Sequence, residues 1–268
     1  MHTFGIVGFP LSHSFSQKYF TEKFQRENIS DCEFKNFPLE DIHDFPALVK
    51  NNPSLCGLSV TIPHKQSVMK YLDEIDGTAK EVGAVNCIKR WQTADGRWQM
   101  EGYNTDVFGF EKSLKPLLKE NNSKALILGT GGASKAVAFV LKKLNIEYVF
   151  ITRNASPFHE EHHNPTMVGF KDKLFTHLEY DKVEKHVILS HPLIINTTPL
   201  GMFPNVNDCP DIPYEFLTSK HLLYDLTYNP EESLFLKKGK EKGAQIKNGL
   251  EMLHLQAEKA WEIWNSPT

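Results

Sequence analysis

Residues Ala125–Val140 read ALILGTGGASKAVAFV. Ala125–Leu128 is a short apolar run of the kind that forms a buried strand. Gly129-Thr130-Gly131-Gly132 follows at once, and Ala133, Val137, Val140, Leu141 and Leu144 then recur at helical spacing. Strand, glycine turn and helix in that order are the context in which a glycine fingerprint points to dinucleotide binding. Gly129 permits the tight turn, and Gly131 lets backbone approach a pyrophosphate. The helix N-terminus offers N–H groups and the positive end of its dipole to the phosphate charge. The match to G-x-G-x-x-G is incomplete, since Ser134 stands in the third glycine position. An ordinary strand-to-helix turn is the alternative for the motif taken alone.

Working outward, Glu147–Thr152 (EYVFIT) reads as the second strand of the nucleotide fold. An NAD site normally carries an acid at the end of this strand for the ribose 2′-hydroxyl. Here the strand ends Thr152-Arg153-Asn154. Arg153 can fork onto a 2′-phosphate, which favours NADP over NAD; a surface arginine is the bland reading. Leu193–Asn196 and Leu222–Leu226 read as further buried strands and Ala244–Ile246 as a last short one, before a helix over Leu250–Trp264 with an apolar stripe.

Upstream, Thr3–Val7, Cys32–Phe37 and Gly57–Ile62 read as strands, with helices to about Asn28 and over Asp41–Lys50. Ser12, Ser14 and Ser16 follow the first strand. They are either helix caps or a carboxylate clamp, because hydroxyls and N-terminal amides point the same way there. Pro63 suits a first helical turn, so a helix is expected from there to Ile75. Lys65 then lies just past a strand's C-terminal end, where α/β sheets put ligands, although most lysines are solvated surface charges. Ala84–Trp91 and Arg97–Tyr103 form a hairpin around Ala94-Asp95-Gly96, closed by Asn104-Thr105-Asp106, and a helix follows over Val107–Lys119.

The chain has 268 residues, 40% hydrophobic and 24% charged, which suits two globular domains. A net charge of −3 provides no basic face for nucleic acid. Four cysteines without a C-x-x-C pair indicate neither a disulfide framework nor a zinc ribbon and fit a reducing, cytoplasmic setting. No apolar run approaches the about 18 residues of a membrane span, and the N-terminus lacks a signal-peptide pattern. His159-Glu160-Glu161-His162-His163 satisfies H-E-x-x-H formally, but the flanking prolines make it loop composition, and no metal site is expected.

As a set, these segments resemble the shikimate dehydrogenase family almost end to end. The matching stretches are GFPLSHSFS at Gly8–Ser16, SVTIPHK at Ser59–Lys65, GAVN at Gly83–Asn86 and NTD at Asn104–Asp106. They continue as GTGGA at Gly129–Ala133, NTTPLGM at Asn196–Met202, DLTYNP at Asp225–Pro230 and GLEMLHLQ at Gly249–Gln256. The resemblance implies an α/β fold of two domains. A substrate domain would span 1–106 with 249–268, and a Rossmann-type NADP domain 107–248. The last helix would pack back on the first domain, with the active site in the cleft between the two.

It also implies the reversible reduction of 3-dehydroshikimate to shikimate by NADPH, on the route to aromatic amino acids. Ser14 and Ser16 match the carboxylate clamp. Thr61, Asn86 and Gln256 match hydroxyl partners of the substrate ring, with Tyr228 nearby. Lys65 and Asp106 match the catalytic pair, Lys65 transferring the proton and Asp106 orienting it. Gly129, Thr130, Gly131, Gly132, Ala133, Thr152, Arg153 and Thr197 match cofactor contacts, while Met202, Gly249 and Met252 line the nicotinamide end. A small-molecule substrate and a monomeric or homodimeric state are implied as well. The sequence departs from the family at Ser59, Gln17, Thr152 and Asn154; the last two leave Arg153 alone on the 2′-phosphate. A quinate/shikimate dehydrogenase using NAD or NADP is the rival within the class. A catalytically silent NADP-sensing protein on the same fold is the rival outside it.

Overall fold

The computed structural model describes residues 1–11, 15–154 and 177–267. Ser14 and the His159–His163 motif lie outside them. The described chain divides into two compact units, Met1–Phe108 with Gln256–Thr268, and Gly109–Leu255.

The first unit is built on β1 (His2–Gly8), β2 (Cys32–Pro38), β3 (Leu55–Val60), β4 (Glu74–Ile75), β5 (Cys87–Gln92) and β6 (Trp98–Tyr103). Their order is β2-β1-β3-β5-β6-β4. β1 runs parallel to β2 and β3, whereas β5 is antiparallel to β3 and β6. The β5–β6 turn has Gly96 at φ +83, a conformation that favours glycine. Helices α1 (Phe15–Arg26), α2 (Phe45–Asn51) and α3 (Gly77–Val82) connect the strands, and α4 (Thr105–Leu114) follows β6.

Two expectations for this unit need correction. The stretch after Pro63 is not a helix to Ile75. Only Ser67–Tyr71 coils, as a 3-10 turn, and Glu74–Ile75 pairs with β6; the distant strand overrides local propensity. α4 begins at Thr105 rather than Val107, because the Asn104 carboxamide accepts from the Val107 amide at 3.3 Å and caps the helix there.

The second unit is an all-parallel sheet of β7 (Lys124–Leu128), β8 (Glu147–Thr152), β9 (His177–Glu179), β10 (Leu193–Asn196), β11 (Leu222–Asp225) and β12 (Gln245–Lys247). Its order, β12-β11-β10-β7-β8-β9, is the 3-2-1-4-5-6 arrangement of a Rossmann sheet, in which ligands lie at the carboxyl ends where strand order reverses. That reversal falls between β7 and β10. α5 (Gly132–Lys143), α6 (Lys185–Ser190) and α7 (Leu234–Glu241) connect these strands. The central strands are buried, β10 and β11 throughout and β7 from Ala125 on, as expected of a sheet covered on both faces, whereas the edge strands β9 and β12 are half-buried.

The last helix, α8 (Leu250–Asn265), joins the first unit from Gln256 onward. Its anchor is Trp264. Gly57 on β3 has no side chain, and a Cβ there would lie 2.5 Å from the Trp264 ring. The indole nitrogen donates to the Ile88 carbonyl at 3.0 Å. Phe4, Phe20, Phe24, Phe34 and Trp261 pack around it. Lys23, almost fully buried, pairs with Glu258 at 2.8 Å and with Glu27 at 2.9 Å. Among the described residues no helix is long and apolar enough to cross a membrane.

Candidate functional site

In the first unit the ends of β3, β5 and β6 gather the polar residues. Lys65 sits five residues past β3, in a turn held at both sides. Its carbonyl accepts from the Val85 amide at 2.7 Å, and the His64 amide donates to the Thr61 carbonyl at 2.9 Å. His64 is buried and bonds the Leu39 carbonyl at 2.6 Å. Lys65 Nζ meets Asp106 Oδ2 at 2.6 Å, with the two side chains 15% and 10% exposed. Asp106 lies in the first turn of α4, where a carboxylate complements the helix dipole. The pair is therefore fixed by two separate elements and still reachable by a small molecule.

Beside it, Asn86 is buried with its amide committed. Its Nδ2 donates to Thr105 Oγ1 at 3.0 Å, and its Oδ1 accepts from the Thr105 amide at 2.6 Å. Thr105 Oγ1 in turn lies 3.3 Å from Gln256 Oε1. The fully buried Thr105 thus ties the β5 end to α8, and no sequence expectation assigned it this role. Its only signal was a place inside Asn104-Thr105-Asp106, next to the acid. Ser16 is buried in the first turn of α1, inside the helix rather than at its cap. Thr61 is half-buried beside β3. The first unit therefore brings Ser16, Thr61, Lys65, Asn86, Asp106 and Gln256 to its own frame, whereas Tyr228 belongs to the second unit.

In the second unit, Gly129 closes β7 at φ +102, where a Cβ would lie 2.9 Å from Thr197 Oγ1 and from the Thr198 methyl. Gly131 caps α5 with no side-chain bond to the helix, and nothing stands within 4 Å of where its Cβ would be. The helix N-terminus is open on that side. Ser134, in the third glycine position, is buried and donates to the Gly131 carbonyl at 2.6 Å. The substitution is thus absorbed inside the turn. Thr130, Gly132 and Ala133 are half-buried along the same turn.

At the end of β8, Arg153 is exposed and Thr152 is buried, its hydroxyl donating to the Asn154 carbonyl at 3.4 Å. Parallel pairing sets Glu179 of β9 beside Thr152, an acid that chain order did not reveal. These groups suit an adenosine 2′-phosphate dinucleotide: open amides and glycine clearance for the pyrophosphate, and a planar cation for the phosphate.

Thr197 donates to the Leu128 carbonyl at 2.7 Å, while Met202 is exposed on the loop after β10. Gly249 is sterically required, since a Cβ there would come within 2.1 Å of the Leu226 carbonyl oxygen. Met252 is buried one turn further on. Burial raises the Tyr228 phenol above the usual tyrosine range. Among the described residues no group of three or more His, Cys, Asp or Glu side chains is placed to hold a metal.

Residues 6–88 match the domain family described as "Shikimate dehydrogenase substrate binding domain". A curated shikimate dehydrogenase (NADP(+)) of Methanosphaera stadtmanae is 34% identical, covering 98% of this chain and 91% of that one. The crystal structure of shikimate dehydrogenase from Aquifex aeolicus superposes with a TM-score of 0.82 at 30% identity, covering 99% and 92%. The Thermus thermophilus shikimate 5-dehydrogenase, solved in complex with NADP(H) and shikimate, gives a TM-score of 0.78 at 26% identity, covering 99% and 94%.

Proposed function

The chain belongs to the shikimate dehydrogenase family, and on that premise we propose that Lys65 and Asp106 carry its reaction, the reversible NADPH-dependent reduction of 3-dehydroshikimate to shikimate. It is an NADP-dependent oxidoreductase of the shikimate pathway. The observation that carries the assignment of roles is the 2.6 Å contact between Lys65 Nζ and Asp106 Oδ2 in a partly exposed polar cluster.

NADPH, when bound, supplies the hydride for the ketone carbon. Negative charge then grows on the ketone oxygen. Lys65 stabilises that charge and gives the oxygen a proton, completing the alcohol; water returns a proton to the amine. In the reverse direction the neutral amine takes the hydroxyl proton. Asp106 holds the ammonium in place and accepts a hydrogen bond from a substrate hydroxyl. Ser14 and Ser16 clamp the carboxylate, and Thr61, Asn86 and Gln256 read the ring hydroxyls, with Tyr228 a further substrate contact. Thr105 keeps Asn86 and Gln256 in register.

On the cofactor side, Gly129–Ala133 and Thr197 cradle the pyrophosphate, and Arg153, beside Thr152, takes the 2′-phosphate. Met202, Gly249 and Met252 border the nicotinamide. The first unit is then the shikimate-binding domain and the second the NADP-binding one. A cytoplasmic location and a monomeric or homodimeric state accompany this reading, the latter measurable by light scattering. The test is NADPH oxidation on adding 3-dehydroshikimate, with quinate plus NADP⁺ or NAD⁺ as the second arm. Turnover of 3-dehydroshikimate is expected; turnover of quinate alone would reassign the substrate.

A further inference from the structure

Asp225 ends β11 and is fully buried, yet no role in binding or chemistry attaches to it. It is paired in register with Asn196, the last residue of β10. Its Oδ1 accepts from Asn196 Nδ2 at 3.0 Å and from the Thr227 amide at 2.9 Å, while its Oδ2 accepts from the Ser233 hydroxyl. Every one of these partners is neutral. A buried carboxylate held only by neutral donors is costly to keep, so its place calls for an account.

The bonds continue outward from Asp225 into three segments. Through Asn196, whose Oδ1 accepts from the Thr198 amide at 3.0 Å and its hydroxyl at 2.6 Å, it shapes the loop that leads to Met202. The Thr198 methyl and Thr197 hydroxyl are the atoms against which Gly129 packs. Through Thr227 it sets the turn carrying Tyr228. The Thr227 carbonyl then accepts from the Gly249 amide at 3.1 Å, at the start of the segment carrying Met252. The Phe203 amide donates to the Asn229 carbonyl at 3.0 Å, closing the first loop onto the second.

We propose that Asp225 is a positioning residue for the cofactor: one buried carboxylate sets the 196–202, 226–230 and 247–252 segments against each other, so that the groups facing the nicotinamide end are arranged before NADPH arrives. Preorganisation of this kind acts on affinity, because the ordering is already present in the free protein. It rests on the NADP reading given above.

Asp225→Asn keeps the size and replaces one acceptor oxygen by a donor, which then opposes the donors already there. Ser233→Ala removes one support of the carboxylate without changing a residue of the three segments, and it also removes the N-cap of α7, where the Ser233 hydroxyl accepts from the Leu236 amide at 3.4 Å. Both variants are made in the full chain and compared with wild type in two measurements. The first is binding of NADPH and, separately, of shikimate. The second is amide deuterium exchange of the ligand-free protein.

Asp225→Asn is expected to weaken NADPH about ten-fold or more, with shikimate affinity within about two-fold of wild type. Exchange should quicken in the three segments and not along β7 or α5. Ser233→Ala should show the same pattern in the three segments, several-fold in affinity, with faster exchange in the first turn of α7 from its lost cap, and it decides the matter if Asp225→Asn does not fold. NADPH affinity within about two-fold of wild type in the folded variants, or exchange rising evenly through the second unit, overturns the proposal. Failure of the wild type to bind NADPH would instead strike the cofactor reading, and the exchange comparison would still decide what Asp225 holds.

Discussion

Lys65 Nζ and Asp106 Oδ2 stand 2.6 Å apart although 41 residues separate them in sequence. One comes from the turn after β3 and the other from the first turn of α4. A carboxylate at a helix N-terminus and a lysine whose own backbone is pinned make a pair with little freedom. That suits a cation that must meet one oxygen of a substrate ring.

Asp106→Asn removes the charge partner while keeping a hydrogen-bonding group of the same size. Turnover with 3-dehydroshikimate is expected to fall about 100-fold, with a rise in KM, because both the orientation of Lys65 and a substrate contact are lost. Steady-state kinetics at saturating NADPH measure both changes.

Arg153→Ala should erase most of the discrimination between NADPH and NADH. A charge-assisted contact to phosphate contributes about 1.5–3 kcal/mol, so the ratio of kcat/KM values should drop by about 10- to 100-fold. With Glu179 beside Thr152 in register, the loss should come from NADPH, and NADH rates should hold or rise.

Gly249→Ala forces a Cβ to within 2.1 Å of the Leu226 carbonyl oxygen. Backbone must move on one side or the other, at a cost of about 1–3 kcal/mol. Thermal unfolding should show the lowered stability, and NADPH affinity should fall with it.

Asp225 sets a pH dependence of stability. Burial, outweighing the hydrogen bonds from Ser233, Thr227 and Asn196, pushes its carboxyl up from the usual aspartate range to about 6. The native state then binds the proton more tightly than the unfolded chain, so the stability this group contributes falls as pH rises from about 4 to about 6 and is level above that. That rise corresponds to about 3 kcal/mol. Urea unfolding of wild type and Asp225→Asn across that range should show wild type losing about that much relative to the variant. Parallel curves would contradict it.

The parts legible in the sequence were those fixed by neighbours along the chain. Gly129-Thr130-Gly131-Gly132 between an apolar strand and a helix announces its own turn, and Ala94-Asp95-Gly96 announces its hairpin. What could not be read depends on which strand lies beside which. Glu74–Ile75 is a strand only because β6 is there to pair with it. Glu179 lies beside Thr152 only through the β8–β9 register. Thr105 looks like any threonine until Asn86 and Gln256 close on it from β5 and α8. Lys65 and Asp106 were each unremarkable in isolation; family resemblance joined them, and the described geometry places them in contact.

The assignment of proton transfer to Lys65 is tested most directly by Lys65→Ala, assayed for NADPH oxidation with 3-dehydroshikimate alongside wild type and Asp106→Asn. The account predicts a loss of turnover of about 1,000-fold or more, larger than that of Asp106→Asn, with shikimate affinity changed little. Near-normal turnover in Lys65→Ala would contradict it.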